Sequence, residues 1–351
     1  MRRRVAMEFL KRLTETPGIP GREGRVRDLI REHTDGWWDE LHEDAIGNLI
    51  GVIKAARRKR GLKEKAVVIG CHLDQIGFYV RHVDDSGFLR IQHAGGFDTR
   101  NLFARRVKVM TGGGDLPGIL NPATRPVHVA SDEEKRKIPK VNEFVIDLGL
   151  PPAQVKRRVK PGDPVVIEQT TIEMGQHVCG QAMDNRISPW VALNAIKKAK
   201  GKNVYDIYWL GSAQEEVGVR GALVAAQNIK AEVAIAVDVT LAVDTPGTQK
   251  EEAISRLGDG VALKIMDSLS ISTRSLLDDF VKLANRKKIK FQYEILPMGG
   301  TDAGPLQRYG GGRRTITLSV PCRYVHTVVE TVHKKDLDAA VNLLAAWLMG
   351  Q

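Results

Sequence analysis

Glu215 and Glu216 stand side by side in LGSAQEEVGVRGA (Leu210–Ala222), between an apolar run and a helix-like one. His72 and Asp74 close the run VVIGCHLDQIG, Asp238 closes IAVDVT, and TLSVPCRYVH leads to His326. Asp184 opens the helix-like AMDNRIS. Open α/β sheets place their sites at the carboxyl ends of their strands, so these segments predict one shared site. Two histidines with several carboxylates form a zinc-type ligand set. Two metals about 3.5–4 Å apart, sharing a bridging carboxylate, account for the number of ligands. Imidazole and carboxylate suit Zn²⁺ first, with Co²⁺ or Mn²⁺ as alternatives. Water between two such ions is acidified towards a pKa of about 7, and a carboxylate that is not a ligand can take its proton. Adjacent carboxylates repel each other, so the glutamate pair needs a cation or a proton. One glutamate as ligand and the other as general base meets that need. A turn aims both at the site, where a regular strand would send them to opposite faces.

Each residue taken alone has a plainer reading. His72 could be structural, Asp184 a helix N-cap, and the glutamates a solvated pair. Asp238 is harder to dismiss, because an aspartate buried in an apolar run needs a partner. The plain readings would all have to hold at strand ends of one sheet. Other chemistries find little support. There is no GxSxG elbow and no Walker-type phosphate loop, and MTGGGDLPG reads as a turn. Cys71 reads as a small core thiol.

The elements that must position these residues follow from the pattern. After about residue 166 strand-like and helix-like runs alternate, from NRISPWVALNAIKKAK to the closing KKDLDAAVNLLAAWLM, which predicts an α/β sheet flanked by helices. Short strand-like pieces separated by Gly and Pro turns fill the middle, including FYVRHV, FLRIQHA and RVKVMT. They predict a small all-β module over 75–166, inserted between the catalytic segments 1–74 and 167–351. A chain of 351 residues is long for one core, in keeping with two domains. Phe78, Tyr79, Phe88 and Phe97 near the start of the module form either a contact surface or the module's own core.

The start, MRRRVAMEFLKRLTETPG, reads as an amphipathic first helix, since Glu8, Lys11 and Arg12 interrupt any signal-peptide core. No run of about 20 apolar residues suggests a membrane span. Three cysteines, Cys71, Cys179 and Cys322, make no disulfide framework and suit a cytoplasmic protein. The net charge of +11 raises the question of nucleic acid. Its densest run, KAARRKRGLKEK (Lys54–Lys65), reads as a loop between strands and carries no interleaved aromatics, so a nucleic-acid partner is not expected. The charge would instead steer acidic peptides to the protein at low salt.

Nine segments together carry a family resemblance: TETPGIPGREGRVRDLI, DAIGNLIG, GCHLDQIGF, KPGDPVV, AMDNRIS, AQEEVGVRGA, AIAVDVT, MGGTDAG and VPCRYVHTVVE. They span essentially the whole chain, which resembles the co-catalytic zinc aminopeptidases of metallopeptidase family 42. The resemblance implies a metallopeptidase sandwich, a mixed sheet with helices on both faces, carrying an inserted barrel-like dimerisation domain. It implies removal of N-terminal residues from peptide substrates, two divalent metal ions per subunit, and self-association to a dimer and a hollow dodecamer. By the same resemblance His72 and Asp238 would hold one metal and Glu216 and His326 the other. Asp184 would bridge them, Glu215 would be the general base, and Asp74 would orient His72. Gln75 departs from the family pattern, which usually has Glu there. Arg323, close in sequence to His326, could reach an acidic group of the substrate or pair with a structural carboxylate. Another dinuclear metal hydrolase, such as a carboxypeptidase or deacylase, and a non-enzymatic scaffold are the competing readings.

Overall fold

Apolar runs rich in Val, Ile and Ala become the central strands of an eleven-stranded mixed sheet. The computed structural model describes residues 2–351 except 59 and 62. Across the sheet the order is Glu40–Glu43, Leu49–Ile53, Asp206–Ser212, Ala66–His72, Val233–Leu241, Arg314–Arg323, Glu330–His333, His177–Gly180 and Ile172–Met174. Val261–Met266 pairs with Arg314–Arg323 and with Phe291–Ile295. The four strands from Asp206–Ser212 to Arg314–Arg323 are mutually parallel, so their carboxyl ends share one edge.

Helices cover both faces, and the period of two along each strand divides the core accordingly. Val67, Ile69 and Cys71 pack with the helices Met183–Ala199 and Lys334–Leu348, while Ala66 and Val68 pack with Arg220–Asn228. All seven residues of Ala66–His72 are therefore buried, which is why the strand reads as a continuous apolar run. The predicted first helix spans Arg2–Glu15 and buries Leu10 and Leu13. The basic run joins Leu49–Ile53 to Ala66–His72, as expected; its Lys59 and Leu62 lie outside the described residues. Cys71, Cys179 and Cys322 are free and buried. Among the described residues no helix is long and apolar enough to cross a membrane.

The middle of the chain forms a closed six-stranded antiparallel barrel. Its order is Gly77–Val83, Leu89–Ala94, Phe144–Asp147, Gly114–Pro122, Arg105–Thr111 and Pro164–Ile167. Closure removes the free edges that would invite other strands. Phe78 is fully buried in the barrel interior with Leu89, Val107 and Phe144, and it stacks on Phe97 at 4.5 Å between ring centroids. These two rings belong to the module's own core. The half-buried Tyr79 donates its hydroxyl to the Pro20 carbonyl at 2.6 Å, tying the barrel to the turn after the first helix.

Candidate active site

The sheet edge gathers the predicted residues by different local devices. His72 ends its strand, and Asp238 lies on the neighbouring strand Val233–Leu241. Gln214 takes a left-handed conformation at φ 58° just after the strand Asp206–Ser212, so strand alternation stops before Glu215 and Glu216. Asp74 secures that turn: its two carboxylate oxygens accept the N–H groups of Glu215 and Glu216, each at 3.0 Å. Asp184 sits at the irregular start of Met183–Ala199, with ψ at 102°, two residues after the left-handed Ala182. It is not an N-cap there, and its carboxylate is left for the site. Tyr324 and His326 are left-handed too, at φ 60° and 63°, a conformation that non-glycine residues adopt only where the surroundings impose it.

These devices bring two histidines and four carboxylates together. Asp184 divides its oxygens between the imidazoles: Oδ1 lies 3.2 Å from His72 Nε2 and Oδ2 lies 3.4 Å from His326 Nε2. Glu216 Oε2 is 3.4 Å from His326 Nε2. Glu215 Oε2 and Asp238 Oδ1 are each 3.9 Å from His72 Nε2. Two groups could hold an ion by proximity, His72 with Asp184 and Glu216, and His72 with Glu215 and Asp238. His72 Nδ1 faces the Asp74 carbonyl at 3.1 Å, closer than the Asp74 carboxylate at 3.5 Å. Asp74 thus steadies the imidazole through its main chain and the glutamate turn through its side chain. Arg323 stands apart. It forms a two-pronged ion pair with Asp244, with Nη2 at 2.9 Å from Oδ2, and it is not among the residues lining the cavity over the site.

The electrostatics of the cluster call for a cation. Burial drives Glu215 well above the usual carboxylate range, with Asp238 and Asp302 adding to it and His72 opposing. Burial also raises Asp238 strongly and Glu216 less so, in both cases aided by Asp184. Burial pulls the imidazoles down, yet the carboxylates outweigh it. Glu215 and Asp184 push His72 well above its ordinary value, and Asp184 and Glu216 lift His326 to about 11. Asp184 itself is held well below the usual range by His326 and His72 against its burial. Glu216 Oε1 is buried with no hydrogen-bond partner among the described residues. A surplus of buried acceptors, oxygen and imidazole donors of the right type, and an orphaned carboxylate oxygen all fit divalent metal.

A family model described as M42 glutamyl aminopeptidase matches residues 47–343. The chain belongs to the M42 glutamyl aminopeptidase family. It is 30% identical to the lysyl aminopeptidase of Pyrococcus furiosus, over 98% of this chain and 97% of that one. An aminopeptidase structure from Desulfurococcus kamchatkensis superposes with a TM-score of 0.92 at 33% identity, covering 100% of this chain and 96% of the other. The TET1 peptidase of Pyrococcus horikoshii, which can assemble into a tetrahedron or a large octahedral shell, gives 0.86 at 30% identity, with 98% and 99% covered. M42 peptidases are metallopeptidases, and the enzyme is a hydrolase of peptide bonds.

Three further groups of this M42 enzyme escaped the sequence reading. Glu330 is buried and accepts the N–H groups of both Asp184 and His326. Its signal was available: a carboxylate in the apolar TVVETV needs a partner as much as Asp238 does. Asp302, in MGGTDAG, is buried against the Ser212 hydroxyl, and burial raises it to about 6. Arg186, two residues after Asp184, is wholly buried. It donates to the carbonyls of Leu13 and Thr16 at 2.7 Å each, to that of Gly18 at 3.1 Å, and to Gln75 Oε1 at 3.2 Å. The unusual Gln75 is therefore an acceptor for a buried cation, within a network that also includes the charges of Asp74 and Glu23. Arg186→Met would strip four acceptors and leave those carboxylates uncompensated. Its expected cost is about 3–5 kcal/mol, the range for breaking a buried ionic group. Urea unfolding of metal-free protein measures it; a loss below about 1 kcal/mol, the scale of a surface pair, would contradict the assigned role.

Proposed function

We propose that the chain is a two-metal aminopeptidase with Glu215 as general base, and the observation that carries this reading is Asp184 dividing its oxygens between His72 and His326. His72 and Asp238 would hold one ion, Glu216 and His326 the other, and Asp184 both. Metal ions at these positions would supply Lewis acidity for the scissile carbonyl and a water of lowered pKa. Glu215 takes the proton of the attacking water and passes it to the leaving amine. Its raised pKa suits the return step, and nearby cations would lower it again. A cavity of about 440 Å³ opens beside the cluster, with Leu269, Leu296, Met298 and Val325 among its walls, and gives room for a peptide end. The substrate's α-ammonium group finds carboxylates there. Zn²⁺ is the ion the donor set favours, with Co²⁺ or Mn²⁺ able to replace it.

Exhaustive chelation is expected to abolish hydrolysis of aminoacyl-p-nitroanilides, and added Zn²⁺, Co²⁺ or Mn²⁺ to restore it. N-blocked peptides should remain uncut throughout. Active protein without stoichiometric transition metal by elemental analysis would sink this reading, and cleavage of N-blocked peptides would point to another hydrolase.

The inserted segment, over about 75–166, is also assigned the contact between subunits. Phe78 is buried and Phe97 packs against the same core, but Phe103, Ile119, Val127, Val129 and Ile138 are exposed on the same segment. Exposed apolar residues of this kind are what a contact between subunits would cover. Light scattering is expected to give a dimer or a dodecamer, in line with the assembly of the Pyrococcus horikoshii relative. A monodisperse, active monomer at micromolar concentration would refute this assignment. The three free, buried cysteines favour a cytoplasmic location.

A further inference from the structure

Glu330 is 2% exposed, and its two oxygens serve two main-chain donors. Oε2 accepts the Asp184 N–H at 2.9 Å, and Oε1 accepts the His326 N–H at 2.7 Å. Both donors lie in irregular backbone: Asp184 at the non-helical start of its helix, His326 at φ 63°. His72 and Asp238 need no such clamp, since each sits in the ladder of a central parallel strand. Glu330 begins the strand Glu330–His333, paired with His177–Gly180 on one side and with Arg314–Arg323 on the other. A single carboxylate anchored in the sheet therefore ties together two site segments that the ladder does not reach.

We propose that Glu330 is the positioning residue for one of the two metal positions, fixing Asp184 and His326 relative to each other so that the position made with Glu216 is preformed. The inference rests on the ligand reading above. Ligands held in place lose little freedom when the ion arrives, whereas untethered ones must be ordered by the ion at the expense of affinity. Partners behind the ligands commonly command 10–100-fold in metal affinity. The other position shares Asp184 but takes its remaining ligands, His72 and Asp238, from ladder strands that Glu330 does not touch, so the effect should be unequal.

Glu330→Gln keeps the shape but offers one acceptor where two are needed, so one N–H must face an amide NH₂. Metal-free protein is titrated with Co²⁺ and with Zn²⁺ by calorimetry, beside wild type. Two binding steps are expected in wild type. In Glu330→Gln one step should weaken by roughly 10–100-fold while the other stays within about threefold, so the ratio of the two constants changes. A merely structural role would lower the unfolding temperature and leave that ratio alone. Two wild-type steps that are unchanged or equally weakened in the variant overturn this inference but leave the ligand reading intact. Wild type that takes up no Co²⁺ or Zn²⁺ overturns both. Should the variant fail to fold, amide hydrogen exchange of metal-free wild type decides: protected Asp184 and His326 N–H groups support the clamp, and freely exchanging ones overturn it.

Discussion

Glu215→Gln is expected to retain its metal and lose roughly 10²–10⁴-fold in kcat, the usual scale for removing a general acid–base group. The substitution keeps the side chain's shape and its N–H bond to Asp74. It removes the capacity to accept a proton from water and return it to the leaving amine. Glu216→Gln is the control, because its Oε2 faces His326 Nε2 and its loss should weaken one metal rather than the chemistry at saturating metal. Elemental analysis and kcat at high metal separate the two. Proximity alone leaves the choice open, since Glu215 Oε2 lies as close to His72 Nε2 as Asp238 Oδ1 does, at 3.9 Å. Metal loss in Glu215→Gln with full metal in Glu216→Gln would reverse the assignment.

The candidate site was legible where the backbone is regular. His72 and Asp238 lie on central strands buried on both faces, and such strands announce themselves as unbroken apolar runs. Glu215 and Glu216 were legible as a pair, but the device that aims them, the left-handed Gln214 with Asp74 beneath the turn, is tertiary. The strands Val261–Met266 and Phe291–Ile295 went unread because charges interrupt them. Lys264 and Glu294 are buried, and Lys264 Nζ sits 3.1 Å from Glu294 Oε1 and 3.2 Å from Asp267 Oδ2. A charge whose partner arrives from another strand looks like a surface residue in sequence. The outer strand Glu40–Glu43 is exposed along its whole length and carries no apolar period to read. Arg323 illustrates the opposite limit: nearness in sequence to His326 suggested a role at the site, but its partner Asp244 sits beyond the end of a neighbouring strand.

Asp184→Ala is expected to be the most damaging single change to the metal centre. In the proposed assignment each other ligand serves one position, whereas Asp184 presents Oδ1 to His72 and Oδ2 to His326. Its loss should weaken both metal-binding steps beyond the 10–100-fold that a supporting residue commands, and take activity to background. His326→Ala should weaken one step and spare the other. The fold should survive, because the Asp184 N–H that Glu330 holds is main chain and remains in the alanine variant. The cavity left at the sheet edge opens to solvent rather than to the core. The electrostatic consequences run in two directions, since Asp184 is itself stabilised by the two imidazoles. Asp184 raises both Glu216 and Asp238, so removing it relieves repulsion among buried carboxylates in the metal-free protein. It also removes the partner that helps hold both imidazoles protonated, so His72 and His326 should titrate at lower pH in the variant. Circular dichroism, calorimetric metal titration and histidine titration by NMR measure the three consequences separately. A folded Asp184→Ala protein that keeps one ion at wild-type affinity would show that the aspartate serves a single metal, and the two-metal reading would lose the carboxylate that joins its halves.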